Sequence, residues 1–597
     1  MRAPFRADGH RPGRTQCAPT VGDGILGLRG LAYGGMEGVM RLICSLVFGC
    51  LLGLAVSAQE TLRPEQLTPG MKGYGLSVFQ GTKPERFEVE IVGVLKNSFP
   101  KQDMILIKMN GANLEKHKVI AGMSGSPIYI DGKLIGALAY GWTFENDPLA
   151  GVTPIHNMLA EIDRKAEPGA PVPVARSTSE AAPRPLLTPL ALSGFSPRII
   201  EQMAGEFASL GLLPVAGGGA SGSGRHADAE FEPGGSIGVQ LIRGDLDATA
   251  VGTVSYVDKK RGRILAFGHP FFQAGLIEAP ASVAEVHVVM SSLQRSFKMA
   301  SPLNEIGALV GDWQSCIVAD TNVRAKMLPV TVRVANLGTG HRETYNMEVI
   351  ENPVYTPRLV LSAVASVLEV ASASSQETTL KMDLAATLAD RTIRVTNTYY
   401  NSSGTLINPG AFLPLQQIFI TPFGQPKVKR IEINVTATLA RQTADIKRAY
   451  FDKSQVERGE KALLHVVLKP FGQPELTKII PITVPAATDM MRELMIIVMG
   501  GNSAPPDVAA PDNLDDHLNA IEKRRAATEL VALLPSAGQG LQYRGRLLKN
   551  LPPSALGVLG DDAGRDAIGA ADMQQLAVPT DWVLSGTAFA RVPIRQE

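Results

Sequence analysis

A hairpin signal between two apolar runs is the feature that most constrains how this chain can fold. The stretch AGMSGSPIYIDGKLIGALAYGW, residues 121–142, places Asp131-Gly132 between IYI and KLIGALA. Asp-Gly flanked by apolar strand residues is the strongest short-range signal for a two-residue β-hairpin. Two glycines close to Ser124 also allow the backbone to bend sharply just before the hairpin. The segment therefore predicts a glycine turn that leads into a two-stranded ribbon.

Short alternating segments bounded by turn residues recur along the chain and indicate a mainly β protein. At 597 residues the chain is too long for one hydrophobic core. Changes in composition predict the following segments: 1–58, an N-terminal extension and signal peptide; 59–165 and 236–325, two β-rich segments; 166–235, Pro/Ala/Gly-rich linkers around a short helix capped by Ser196; 326–430, a β-rich domain; 431–500, an immunoglobulin-like β-sandwich; and 501–597, a linker, a helix and a C-terminal tail.

The charge balance excludes a nucleic-acid-binding surface of the usual kind. Lys and Arg number 58 against 57 Asp and Glu, which gives a net charge of +1 and no basic field. A content of 45% hydrophobic and 19% charged residues is typical of a folded globular protein. The sequence has no Cys/His cluster with zinc-ligand spacing and no phosphate-binding glycine loop, so we expect neither a metal nor a cofactor.

The N-terminal region predicts export. From Met40 the chain has one arginine, an apolar run and a small-residue pattern that ends at Ala58, which together predict a secretory signal peptide cut after that alanine. Translation would then begin at Met36 or Met40. We expect a periplasmic or extracellular product without a stable transmembrane anchor after cleavage. Of the 4 cysteines only Cys316 follows the cut, which predicts a lone buried thiol.

Ser124 has surroundings that suit a nucleophile. A serine is a weak nucleophile by itself and needs an adjacent base and hydrogen-bond donors aimed at the developing oxyanion. The turn can aim the backbone N–H groups of Gly122 and Ser124 at one point, as an oxyanion hole requires. Ser126 is a second hydroxyl in the position of the small residue beside the nucleophile. The alternative is a glycine-rich turn without chemistry.

The string GMSGSPI, residues 122–128, resembles the nucleophile motif of the SpoIVB-type peptidases, family fifty-five of the serine peptidases. The similarity covers roughly residues 70–160 and 236–325. It implies a trypsin-like double β-barrel peptidase domain assembled from two segments. It also implies hydrolysis of peptide bonds in a protein or peptide substrate through an acyl-enzyme, with Ser124 as the nucleophile.

His269 is the predicted general base. It follows GTVSYVDKKRGRILAFG, a run similar to the strand–turn–strand that leads to the catalytic Gly-His of the family. In the family the histidine segment precedes the serine segment, so this chain carries them in permuted order, and both must meet to form one site. The family also has an aspartate shortly before its serine. Here Asn110 or Asp103 is predicted to orient the imidazole instead.

The residues leave three functions open. The first is a secreted serine endopeptidase that also cuts itself in the linkers at 166–185 and 214–235. The second is an inactive envelope-binding or scaffold protein on the same fold, with the β-sandwich region docking a cell-envelope partner. The third is a non-peptidase acyl hydrolase. An approach of Ser124 and His269 to hydrogen-bond distance would favour an enzyme.

Overall fold

Strands dominate the fold, which confirms the predicted mainly β class: they account for 52% of the residues, against 14% in helices. The computed structural model describes residues 59–142, 147–165, 183–217, 228–292, 295–337, 340–372, 377–402, 408–485, 492–508, 510–535, 539–543, 546–551, 554, 567–570 and 573–595. The signal peptide predicted at 1–58 lies outside these ranges. Residues 60–597 form one compact unit. Within the described ranges, no helix combines the length and apolar character needed to cross a bilayer.

Six antiparallel strands in the first part of the chain close into a barrel. In chain order they are β1 Lys72–Ser77, β2 Glu85–Phe99, β3 Gln102–Asn110, β4 Pro127–Ile130, β5 Lys133–Gly141 and β6 Leu149–Pro154. Their order in the sheet is β4-β1-β2-β3-β6-β5, and the pairing of β5 with β4 closes the ring. On β2 the side chains of Phe87, Val89 and Ile91 are buried in the core. The residues between them are more exposed, the pattern of a strand with one face inside.

The predicted hairpin at Asp131-Gly132 is confirmed as the connection of β4 and β5. Both turn residues have positive φ, 51° and 76°, as a type I′ turn requires. Two short helices flank the last strands of this barrel: α1 Leu114–His117 and α2 Ile155–Ala160.

The segment between the two predicted peptidase segments contains regular structure in its described part. Its elements are β7 Arg184–Pro185, β8 Thr188–Ser193, α3 Pro197–Ser209 and β9 Leu212–Ala216. The predicted helix cap is confirmed, since Ser196 Oγ accepts a hydrogen bond from the N–H of Ile199. The flanking chain forms strands and not only linkers because Leu190, Leu192 and Leu212 are buried in the neighbouring core.

A second barrel of six antiparallel strands follows. It contains β10 Ser236–Gly244, β11 Asp247–Asp258, β12 Arg263–Ala266, β13 Ala279–Met290, β14 Phe297–Asp312 and β15 Ile317–Asp320. Their order is β10-β13-β14-β15-β12-β11, and pairing of β10 with β11 closes it. Two such barrels from two segments are the arrangement predicted for a trypsin-like fold.

The second barrel continues without a break into the region predicted as a separate β-rich domain. The additional elements are β16 Met327–Asn336, β17 Arg342–Ile350, α4 Tyr355–Ser372, β18 Thr378–Thr387, β19 Thr392–Asn401, α5 Leu413–Phe419 and β20 Arg430–Thr438. Strand β17 pairs with β10, and Ile242 lies opposite Val349. The barrel and the extension therefore share a 13-stranded sheet and one hydrophobic core.

The C-terminal part forms a β-sandwich around its own core. One four-stranded sheet contains β21 Thr443–Phe451, β22 Lys461–Pro470, β23 Leu476–Thr483 and β30 Val583–Ser585. The other contains β24 Glu493–Gly500, β25 Glu529–Pro535, β29 Met573–Pro579 and β31 Thr587–Pro593. The remaining elements are α6 Leu514–Glu522 and the strands β26 Gln539–Tyr543, β27 Arg546–Leu551 and β28 Ala567–Ala570. The sandwich thus extends past residue 500, because strands near the C-terminus complete both sheets.

Candidate active site

The turn that carries Ser124 connects α1 to β4 and is buried. Gly122 and Gly125 both have φ of +97°, a conformation that L side chains rarely adopt. The N–H of Met123 donates to Ile120 O at 3.0 Å, and that of Ser126 donates to Met123 O at 2.9 Å. The sequence needs its two glycines here because the chain reverses direction on each side of the serine.

Strand β11 of the second barrel holds this serine turn. The Thr253 N–H donates to Ser124 O at 2.8 Å, and the Thr253 hydroxyl donates to Gly122 O at 2.8 Å. The Ser255 hydroxyl donates to Gly125 O at 2.7 Å. A Cβ on Gly125 would lie 1.9 Å from Thr253 O, so only glycine allows this approach. The predicted nucleophile therefore lies where the two barrels meet.

The loop that carries His269 meets the same place from the other barrel. It leaves β12 through Phe267 and Gly268, whose φ values are +69° and +68°. The Gly268 carbonyl accepts a hydrogen bond from the Thr153 hydroxyl of the first barrel at 2.5 Å. A Cβ on Gly268 would lie 3.2 Å from Leu138 O, the carbonyl that accepts the N–H of Gly125 at 2.7 Å. The serine turn and the histidine loop are thus adjacent, as the permuted order requires.

The two predicted catalytic side chains are fully buried, each with 0% of its surface exposed. Ser124 Oγ has no hydrogen-bond partner within the described part of the chain, so the hydrogen bond to His269 that would favour an enzyme is not formed in this structure. His269 Nδ1 lies 2.9 Å from Pro270 O. A carbonyl oxygen can only accept, so this contact assigns the proton of the neutral ring to Nδ1. Nε2 is then the nitrogen that can accept a proton, the tautomer that a general base needs.

Asp312 fixes the loop that follows His269. Its buried carboxylate accepts the backbone N–H groups of Phe271 at 2.7 Å, Phe272 at 2.6 Å and Ala274 at 3.1 Å. Burial raises the pKa of the Asp312 carboxyl above its usual value, although these N–H groups act in the opposite direction. Three charge-assisted hydrogen bonds to one short segment leave it little freedom to move.

The backbone of the serine turn fits the predicted oxyanion hole. Among the described residues, no acceptor takes the N–H of Gly122 or of Ser124. The carbonyl of each of these two peptide groups is held, because Ala121 O accepts the Lys298 N–H at 3.0 Å and Met123 O accepts from Ser126. In a trans peptide the N–H points opposite to the C=O, so holding the carbonyl also fixes the direction of the donor.

Of the two residues predicted to orient the imidazole, the Asp103 side chain has other partners. The Asp103 carboxylate accepts hydrogen bonds from Lys96 Nζ at 2.7 Å and the Asn97 N–H at 3.0 Å. The bond from Lys96 holds the pKa of Asp103 below its usual value. Asn110 lies opposite Glu88 at the end of β3. An orienting role for either residue stays a prediction, whereas the Pro270 carbonyl already contacts the ring.

The sequence reasoning missed Lys298, which lies beneath the serine turn with 0% of its surface exposed. Its Nζ donates to Ser77 Oγ at 2.9 Å and Thr253 Oγ1 at 3.3 Å. Burial lowers the pKa of Lys298 to about 7. The run SFKMAS could have indicated this position. Side chains alternate along a strand, so Lys298 and the buried Ala300, two residues apart, lie on the same inward face.

Residues 64–159 match the family model described as SpoIVB peptidase S55, which confirms the resemblance seen in the serine motif. The match includes Ser124 and ends before His269. Through this family it implies a serine-type peptidase, a hydrolase that acts on proteins or peptides.

Other comparisons add no argument about function. The curated proteins contain no significant match to this chain. Among solved structures, the human desmocollin-1 ectodomain aligns over 63% of this chain and 57% of its own length, with 8% identity and a TM-score of 0.07. The chain thus spans little more than half of that ectodomain, and so low a score supports no conclusion about fold.

Proposed function

We propose that this protein is an exported serine endopeptidase that cleaves its substrates through an acyl-enzyme. Ser124 is the nucleophile, and His269 is the general base. The observation that carries the proposal is the convergence of the permuted serine and histidine segments between the two barrels, through Thr153, Leu138 and Thr253. Export is proposed from the N-terminal sequence pattern alone.

The proposed chemistry assigns one step to each of these groups. His269 Nε2 takes the proton of Ser124 Oγ as this oxygen attacks the substrate carbonyl carbon. The oxyanion of the tetrahedral intermediate accepts hydrogen bonds from the N–H groups of Gly122 and Ser124. The imidazolium then gives its proton to the leaving amine, and water releases the acyl group by the same steps. Throughout, the Pro270 carbonyl keeps the Nδ1 proton in place.

Substrate access requires a change in the described structure. Because both side chains are fully buried, a peptide must displace part of the cover before it reaches Ser124. Self-cleavage in the linkers at 166–185 and 214–235 would loosen the connection between the barrels. Most of these linkers lies outside the described residues. We include self-processing in the proposal as a step that follows a first opening of the site, since a linker cannot reach the buried Ser124 before the cover moves.

An inactive envelope-binding protein on the same fold is the second candidate. One observation favours it, since Ser124 Oγ has no hydrogen-bond partner among the described residues and the site is closed. Catalytic hydrogen bonds often tighten only in the substrate complex, so this geometry does not exclude catalysis. Exposed apolar residues of the sandwich, such as Ile479 on β23 and Phe471 in the turn between β22 and β23, fit a docking role in either case.

Hydrolysis of fluorescein-labelled casein by the mature chain from Gln59 tests the proposal. We expect activity in the wild type and its loss in Ser124→Ala and His269→Ala. Matched controls are Ser454→Ala and His341→Ala, both exposed residues outside the barrels, which should keep full activity. Equal activity in all five proteins would assign the hydrolysis to a contaminant, and no activity in any would favour the binding protein.

A further inference from the structure

Lys298 is a fully buried lysine without a carboxylate partner among the described residues. Removing an ammonium ion from water without a counter-ion costs several kcal/mol, so such residues are rare unless they serve a purpose. Within the described part of the chain, its hydrogen bonds go to hydroxyl and backbone groups of the two barrels.

The first chain of hydrogen bonds runs from the amine to Met123 O. Lys298 Nζ donates to Ser77 Oγ at 2.9 Å, and Ser77 Oγ lies 3.1 Å from Ser126 Oγ. Ser126 Oγ donates its one proton to Met123 O at 2.7 Å, so the Ser77 hydroxyl supplies the proton between the two serines. The chain therefore ends on the peptide group that carries the N–H of Ser124.

The second chain runs from the amine to Gly122 O. Lys298 Nζ donates to Thr253 Oγ1 at 3.3 Å, and Thr253 Oγ1 donates to Gly122 O at 2.8 Å. The backbone N–H of Lys298 also donates to Ala121 O at 3.0 Å, and this peptide group carries the N–H of Gly122. The Lys298 side-chain carbons lie 3.1–3.3 Å from the position that a Cβ on Gly122 would take. Lysine and turn are thus in close contact along the whole stem.

The count of hydrogens favours a neutral amine. A neutral amine has two N–H groups, and Ser77 and Thr253 offer two acceptors. Each hydroxyl then donates its own proton onward, to Ser126 and to Gly122 O, so every proton of the network has an acceptor. An ammonium would carry a third N–H, for which no acceptor lies among the described residues. An unsatisfied buried donor costs about 1–3 kcal/mol.

We propose that Lys298 is a positioning residue that acts as a neutral amine and fixes the backbone of the oxyanion hole: through Ser77–Ser126 it holds the peptide group that carries the Ser124 N–H, and through Thr253 it holds the peptide group between the two donors. The inference rests on the proposed function, because the donors matter only if an oxyanion forms at Ser124. Lys298 touches neither substrate nor reacting atoms. Its effect is to hold the three peptide groups from Ala121 to Ser124 in one orientation.

The test measures how fast a fluorophosphonate probe labels the mature chain from Gln59. Lys298→Met removes the amine and keeps the unbranched stem. Thr253→Val removes one hydroxyl at nearly constant shape, and Thr253→Ser restores it. We expect labelling of Lys298→Met to slow by about 100-fold, the loss typical of one oxyanion donor, and labelling of Thr253→Val to slow less but by more than about threefold, because its hydroxyl holds the peptide group between the two donors. Thr253→Ser and the exposed control Lys260→Met should stay within about threefold of the wild type.

The outcomes separate this inference from the proposed function. A merely structural lysine would lower the unfolding midpoint together with the labelling rate, whereas loss of a positioning residue slows labelling in a protein that is at least as stable as the wild type. If Lys298→Met does not fold, the labelling rates of Thr253→Val and Thr253→Ser test the inference instead. Wild-type labelling with unchanged rates in Lys298→Met and Thr253→Val would overturn this inference alone. No labelling of folded wild type would overturn the proposed function, and the inference with it.

Discussion

Replacing Lys298 by methionine should make the stability of the barrels less dependent on pH. The amine is fully buried, and burial lowers its pKa to about 7 from the usual 10.5. Between these two values the unfolded chain holds a proton that the folded protein lacks. Stability therefore rises with pH across this window and is lowest, from this source, below pH 7. Methionine has no such proton.

The size of the effect follows from the two pKa values. Each pH unit of the window contributes about 1.4 kcal/mol, and the whole interval amounts to about 5 kcal/mol. Between pH 7 and pH 9.5 the titration curves give a gain of about 3 kcal/mol for the wild type that Lys298→Met lacks. Methionine also removes the cost of desolvating the amine. Of the two pH values, the unfolding free energy of the variant should therefore exceed that of the wild type by more at pH 7.

Equilibrium urea unfolding at pH 7 and pH 9.5 measures this difference. Trp142 and Trp313 lie in the two barrels and Trp582 in the sandwich, so a Trp582→Phe background confines the fluorescence signal to the barrels. The difference in unfolding free energy between wild type and Lys298→Met should change by about 3 kcal/mol between the two pH values. The same difference at both pH values would refute the neutral amine. The exposed Lys260→Met serves as the control that should show no change.

Three further predictions concern the structure around the site. Asp312→Asn should lower the unfolding free energy by about 2 kcal/mol, because an amide nitrogen cannot accept the N–H groups that the carboxylate binds; the midpoint of urea unfolding checks it, and slower probe labelling should accompany the loss. Gly125→Ala should prevent the barrels from packing, since its Cβ would lie 1.9 Å from a carbonyl of β11, whereas Gly93→Ala has open space and should melt like the wild type. Intact-mass analysis after incubation should show cuts in the linkers on either side of α3, and the same cuts in Ser124→Ala would contradict self-processing.

Local signals in the sequence were enough to predict the elements of the first barrel that present the serine. The hairpin at Asp131-Gly132 depends on neighbouring residues only, and so does the cap of α3 at Ser196. The double barrel came from the resemblance of two separate segments to one family. The two segments must meet if Ser124 and His269 are to form one site, so their convergence could be predicted. No local pattern predicts the pairing of β17 with β10 that extends the second barrel.

The supporting groups of the site could not be predicted because they come from distant parts of the chain. Lys298 and Ser77 are 221 residues apart in sequence and meet only when both barrels are formed. Asp312 lies 38–41 residues from the N–H groups that it binds. The group beside His269 Nδ1 is the Pro270 carbonyl, and a backbone acceptor has no residue-type signal at all. The sequence offers only side-chain candidates near the serine, and these are Asn110 and Asp103.

Mapping the adduct of a fluorophosphonate probe by mass spectrometry tests the central claim most directly. The mature chain from Gln59 is labelled, digested and sequenced by fragmentation. We expect one adduct, on Ser124, that is lost in His269→Ala and retained in His341→Ala. An adduct on Ser126 or elsewhere, or a folded protein that takes up no probe, would contradict it.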